Sequence, residues 1–76
     1  MKKINFEDKA KYILKSKLKR QGIDYCDLQK KLNKIGVKET YTSINQKINR
    51  GKFNFIFFLQ CMHAIGIKTI IIDELT

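Results

Sequence analysis

The stretch from Tyr25 to Phe53 constrains the fold of this chain most, because it divides into two short amphipathic segments with a glycine between them. Apolar residues of the first segment recur at the spacing of one buried helical stripe: Leu28, Leu32 and Ile35. Gly36 ends that segment. The second segment has an equivalent inward stripe and stops at Arg50-Gly51: Tyr41, Ile44 and Ile48. The pattern predicts a helix-turn-helix motif with helices over about 25–35 and 41–50.

A further helix is predicted on each side of this motif. Asn5 is a suitable N-cap for a helix over about 6–21. Its inner stripe is apolar: Phe6, Ala10, Ile13, Leu14 and Leu18. Its outer faces are cationic: Lys9, Lys11, Lys15, Lys17, Lys19 and Arg20. A fourth helix over about 55–65 has apolar residues around most of its circumference, which predicts cover on more than one side: Phe55, Ile56, Phe58, Leu59, Met62 and Ile65.

After Gly66 the residues are mostly β-branched, which predicts a strand over about 67–72. A lone strand needs a partner, which can be residues 2–5, the same strand of a second molecule, or the sheet of another protein. We expect the second molecule, paired through Ile67, Thr69, Ile70, Ile71 and Ile72. The expected fold is therefore mainly α: one compact four-helix helix-turn-helix domain over residues 1–76, with a C-terminal β-strand that pairs across a homodimer.

The positive charge of the chain is unevenly distributed. The net charge is +9, and the part up to Lys52 holds 15 of the 16 Lys and Arg and five of the seven acids, so it carries +10 and the rest −1. A cationic surface attracts polyanions, chiefly nucleic acid or anionic membrane, although most lysines of the first helix are expected to form a solvated face. Neither a signal peptide nor a membrane span is recognisable, so a cytoplasmic location is expected.

The residue types that usually carry catalysis are isolated from one another. Cys26 and Cys61 lack the close pairing of a zinc or redox site, and we expect reduced thiols. His63 has no Cys, Asp or second His nearby in sequence, and Ser16 and Ser43 have no acid or base partner by spacing. There is no phosphate-cradling glycine loop. We therefore expect no enzymatic activity, no metal and no cofactor.

The helix over 41–50 offers the side chains that read DNA. Asn and Gln can bond the edge of adenine, Arg that of guanine, and Ser or Thr either bases or phosphates. The predicted base contacts are Thr42, Ser43, Asn45 and Gln46, and the predicted phosphate contacts are Lys38, Lys47, Arg50 and Lys52. A helix face selected only for solubility would carry both positive and negative side chains, whereas residues 40–57 contain no acid. Tyr41 can stack on a base or sugar, but we expect it to pack in the core.

A spaced set of residues resembles a known family: Leu18, Gly22-Ile23, Leu28, Leu32, Gly36-Val37, Ile48, Arg50-Gly51, Leu59 and Ala64-Ile65-Gly66-Ile67. From about Lys15 to Lys68 the chain resembles the lambda-repressor and Cro-like, or XRE-type, helix-turn-helix domains. That resemblance implies a compact helical DNA-binding domain, commonly a dimeric transcriptional regulator. The segments 45–47 and 50–53 also resemble a small bacterial domain family without assigned activity.

The leading hypothesis is a sequence-specific regulator that binds double-stranded DNA, a repressor or autoregulator with the helix 41–50 in the major groove. Two such helices of a dimer would lie roughly 34 Å apart. The alternative is a small protein-interaction or antitoxin-like module that binds a partner through the C-terminal strand. A third possibility is structured-RNA or nonspecific chromosome binding, which would depend on salt with little discrimination between sequences.

Overall fold

The computed structural model describes residues 4–69, and this part is mainly helical. It contains four α-helices: α1 (Phe6–Arg20), α2 (Tyr25–Lys34), α3 (Tyr41–Arg50) and α4 (Phe55–Ala64). α3 packs against α1 and α2, and α2 also packs against α4. The expectation of a mainly α fold with four helices is confirmed. No helix within residues 4–69 is both long and apolar enough to cross a membrane.

Each helix begins at a polar side chain that caps it. The side chains of Asn5, Asp24, Thr40 and Asn54 each accept a hydrogen bond from the backbone N–H three residues later. At α2 the bonding is reciprocal, because Asp27 Oδ2 also accepts from the N–H of Asp24 at 3.3 Å. Such caps satisfy backbone donors that a helix leaves unpaired and stabilise it by about 1 kcal/mol each. The sequence therefore specifies all four helix starts locally.

Three helices end in the same way, and this bears on the predicted strand. The N–H groups of Ile23, Val37 and Ile67 each donate 2.9 Å bonds back into the last turn, to the carbonyls of Leu18, Leu32 and Met62. Each of these apolar residues also packs against the core. Ile67 therefore closes α4, and residues 67–69 form no strand. The rest of the predicted strand, including Ile70, Ile71 and Ile72, lies outside the described residues.

The core draws side chains from all four helices and from the residue that follows α4. Its buried apolar members are Leu14, Leu18, Leu28, Leu32, Ile44, Ile48, Phe57, Cys61, Met62 and Ile65. Burying each large side chain contributes about 1.5–3 kcal/mol relative to leaving it exposed. The core therefore holds α3 against α1 and α2.

Several predicted inner positions are exposed. The apolar periodicity predicts that Phe6, Ile35 and Tyr41 are buried, but all three are exposed, because burial depends on what another element places opposite each residue. The sequence pattern predicts Lys17 on an outer face, yet this residue is only 5% exposed. It follows Ile13 by four residues and therefore shares the buried side of α1.

The prediction that α4 is covered on more than one side is also wrong. Its buried face consists of Phe57, Cys61 and Met62. Phe55, Ile56 and Leu59 point elsewhere and are 66%, 65% and 45% exposed. α4 therefore contributes one side to the core and leaves an apolar side in contact with solvent.

Candidate nucleic-acid interface

The polar side of α3 faces away from the core. Ile44 and Ile48 are fully buried and hold the helix against its neighbours. The exposed residues on the opposite side are Thr42, Gln46, Asn49 and Arg50, which we call the outer arc of α3. This arc presents a hydroxyl group, two amides and a guanidinium group, and no carboxylate. The predicted base contacts Thr42 and Gln46 and the predicted phosphate contact Arg50 are therefore accessible.

Glu39, just before α3, is the partner of two predicted contacts, Ser43 and Lys47. Its side chain is only 13% exposed. Oε1 accepts a 2.8 Å bond from the Ser43 hydroxyl, and Oε2 a 2.8 Å bond from Lys47 Nζ. The same ammonium group lies 4.8 Å from the centre of the Phe57 ring, at cation–π distance. Ser43 and Lys47 thus have partners inside the protein, and the acid nearest to α3 does not belong to the outer arc.

The charge of Glu39 is stabilised where it lies. Burial raises the pKa of this carboxyl group, but the hydrogen bonds from Lys47 and Ser43 and the charge of Lys47 outweigh burial, so the pKa lies below its ordinary value. Glu39 is therefore ionised at neutral pH. It holds the beginning of α3 through Ser43 and the middle of the helix through Lys47.

The two cysteines are free thiols in different surroundings. Cys26 is exposed, whereas Cys61 is buried in the core. Burial and the nearby charge of Glu39 raise the pKa of Cys61 to about 12, against the opposing effect of Lys47. That thiol is therefore protonated and is not a nucleophile at neutral pH. Among residues 4–69, no group of three or more His, Cys, Asp or Glu side chains is placed to hold a metal ion.

Asn45, the remaining predicted base contact, is half-buried and hydrogen-bonded to Asn49. Asn49 Nδ2 donates to Asn45 Oδ1, and the Tyr25 hydroxyl donates to Asn49 Oδ1 across a long 3.4 Å. The prediction of base contacts omitted Asn49, although its angular position on the helix, close to Thr42, could have identified it. The outer arc is therefore linked to the start of α2.

A groove adjoins the outer arc on the side of Tyr41. Tyr25 and Tyr41 meet edge to face with their ring centres 6.2 Å apart. With Lys15 and Lys19 of α1 they line a shallow space of about 500 Å³. Burial, and then the neighbouring Tyr41, raise the pKa of Tyr25, so its hydroxyl stays protonated. The groove thus combines aromatic edges with two cations beside α3.

Further cations lie at both ends of α3. Lys38 precedes the helix, and Arg50 and Lys52 bracket its C-terminal glycine; all three are exposed. Lys52 Nζ lies 3.6 Å from the Glu7 carboxylate, but both side chains are more than half exposed. Such surface ion pairs contribute little to stability, so Lys52 can exchange Glu7 for a phosphate. The predicted phosphate contacts other than Lys47 are therefore available to a ligand.

Comparison with known proteins assigns a family without an activity. The model of a domain of unknown function, DUF6471, matches residues 6–70. No curated protein and no solved structure matches the chain. The matched range includes α1, α2, α3 and α4 complete. The chain therefore belongs to the DUF6471 family.

Proposed function

We propose that this protein binds double-stranded DNA sequence-specifically and acts as a transcriptional regulator, a repressor or autoregulator, with α3 in the major groove. The observation that carries the proposal is the chemistry of the outer arc: its exposed groups are hydroxyl, amide and guanidinium, while Glu39 is withdrawn and paired with Lys47. The major groove admits an α-helix, and these groups bond base edges there.

Thr42 and Gln46 are the principal base contacts in this proposal, and Asn49 joins them. All three are exposed on the same arc. Ser43, Asn45 and Asn49 already have partners within the protein, so they contact bases only by exchanging or sharing those bonds. Arg50, near the end of the helix, can reach either a guanine edge or a phosphate.

Lys38, Arg50 and Lys52 are the proposed phosphate contacts. They lie at the two ends of α3, where the strands that border a major groove pass. Lys47 acts differently, because its bond to Glu39 holds α3 in position. Phosphate contacts set affinity and salt dependence without selecting a sequence.

Replacing Gln46 with alanine tests base reading. Duplexes that bind best are first selected from random sequences, and affinity for them and for random duplexes is then measured by fluorescence anisotropy at physiological salt. We expect Gln46→Ala to cost about 1–3 kcal/mol on the selected duplex and little on random DNA. Gln21→Ala, at an exposed glutamine outside α3, is the matched control and should change neither affinity. Equal losses on both duplexes, or none, would refute base reading by Gln46.

Replacing Lys52 with glutamine tests the phosphate contacts. The variant should bind selected and random DNA more weakly by the same factor, and the slope of log affinity against log salt should fall by about one unit. Lys68→Gln removes an exposed charge beyond α4 and serves as the control. An unchanged slope for Lys52→Gln would remove Lys52 from the interface.

A further inference from the structure

The exposed side of α4 is apolar. Phe55, Ile56 and Leu59 are each about half to two-thirds exposed, and His63 is exposed on the same side of the helix. We call these four residues the outer face of α4. Within residues 4–69, the other large exposed apolar residues lie on different parts of the fold: Ile4, Phe6, Tyr12, Ile35 and Tyr41. Apolar residues clustered on one surface mark an interaction site, whereas single ones are normal.

The outer face of α4 points away from α3. Phe57, on the opposite side of α4, is buried with its ring beneath the Lys47 ammonium group of α3. Phe55 and Leu59 are four residues apart and lie on the other side of the same helix. A molecule bound to the outer face therefore leaves the outer arc of α3 open.

The charge of the chain indicates what covers this face. On each of α1, α2 and α3 the exposed Lys and Arg outnumber the exposed Asp and Glu, so two copies that met through these helices would bring mostly like charges together. Residues 53–67, which contain α4, include no Lys, Arg, Asp or Glu. A second copy of this chain can contact that segment without placing the segment's own side chains, none of which is Lys, Arg, Asp or Glu, against like charges. The segment also lacks the charged groups by which an acidic or basic partner would be selected.

We propose that two copies of this chain pair through the outer face of α4 about a two-fold axis. Phe55, Ile56 and Leu59 of one copy then pack against the same residues of the other, as an isologous interface requires. The pairing does not depend on DNA. If the proposed function holds, this pairing supplies a dimer in which both α3 helices are uncovered.

The size of the face sets the strength of this dimer. A buried phenylalanine covers about 150–250 Å², so three partly exposed side chains supply a few hundred Å² per copy, roughly half of a standard stable interface. The dimer should therefore be weak and depend on concentration. Such a dimer gains affinity when two half-sites on one DNA molecule hold its subunits together.

Sedimentation equilibrium of the full chain tests the pairing without DNA. The average mass should rise from the 9.0 kDa of one chain towards twice that value over about 1 μM to 1 mM. Leu59→Glu and Ile56→Glu should each remain at the mass of one chain, because each places two carboxylates opposite one another at the contact. Tyr12→Glu adds the same charge at an exposed residue of α1 and should dimerise as the wild type does. Far-UV circular dichroism checks that all the variants keep their helices.

A fourth variant separates this interface from the C-terminal segment. Ile71→Lys should dimerise like the wild type, because residue 71 is not part of the outer face of α4. Loss of the dimer in Ile71→Lys with retention in Leu59→Glu would overturn the proposal. A wild-type mass of one chain at every concentration would overturn it too, as would assembly that continues beyond a dimer. None of these results bears on DNA binding, which the Gln46 variant tests separately.

Discussion

Replacing Gly51 with alanine tests how closely the end of α3 approaches the start of α1. Gly51 is buried and left-handed, with φ of 65°. A β-carbon there would lie 2.1 Å from the carbonyl oxygen of Glu7 and 2.7 Å from its carbonyl carbon. Both obstacles are backbone atoms, so no change of side-chain rotamer relieves the overlap. The start of α1 or the end of α3 has to move.

Gly22 is the matched control for the size of this effect. Its φ of 66° is nearly that of Gly51, but a β-carbon there would meet nothing within 4 Å. Gly22→Ala should therefore lower the free energy of unfolding only by the left-handed strain of about 1–2 kcal/mol. Gly51→Ala adds overpacking of about 1–3 kcal/mol, and we expect the upper end because the obstacle is backbone. The entropy that alanine removes from the unfolded chain is common to both variants and cancels in their difference.

Urea denaturation followed by far-UV circular dichroism measures the difference between these two variants. We expect Gly51→Ala to be less stable than Gly22→Ala by about 3 kcal/mol at the same denaturant slope, a melting temperature lower by roughly 12–24 °C. Equal destabilisation of the two variants would show that α1 and α3 do not touch at this point.

Two further predictions concern Glu39 and the cysteines. The pKa of Glu39 is lowered by folding, so its contribution to stability is complete above its ordinary value of 4.5 and is lost as pH falls through the lower folded-state value. The wild-type protein should therefore be more stable than Glu39→Gln at pH 7 and should lose that advantage in acid. Urea titrations at both pH values measure the difference in the free energy of unfolding. A difference that does not change with pH would contradict this ion pair. Iodoacetamide should modify exposed Cys26 in the native protein and buried Cys61 only in denaturant, as read by mass spectrometry; similar native rates would contradict the burial of Cys61.

The helix boundaries could be predicted from sequence because the interactions that set them are local. The bond from the Ser43 N–H to the Thr40 hydroxyl and the bonds between Asp24 and Asp27 span only three residues. Their geometry follows from the helix itself. A polar residue at the right spacing before an apolar stripe is therefore sufficient evidence for a helix start.

Burial within α4 could not be predicted in this way. Phe55, Ile56, Phe57 and Phe58 are adjacent and all apolar, so the sequence favours several faces for the core. Packing of α4 against α2, and of the Phe57 ring against Lys47 of α3, selects the face with Phe57. That choice depends on how separate helices are arranged, and the periodicity of one helix carries no information about that arrangement.

The candidate interface was predictable in part. Ile44 and Ile48 point inward as expected, and this alone places Thr42 and Gln46 on the outside. The bonds from Ser43 and Lys47 to Glu39 were not foreseen, because they depend on the path of the segment 35–40 before α3. Tyr41, for which the sequence predicts core packing, is exposed.

Selection of bound fragments from random DNA duplexes at physiological salt tests the central claim most directly. If the outer arc of α3 reads base edges, the wild-type protein should enrich one defined motif, and the Gln46→Ala protein should enrich that motif less or a different one. Recovery of sequences as diverse as the starting pool, from a protein that still binds DNA, would contradict sequence-specific recognition by α3.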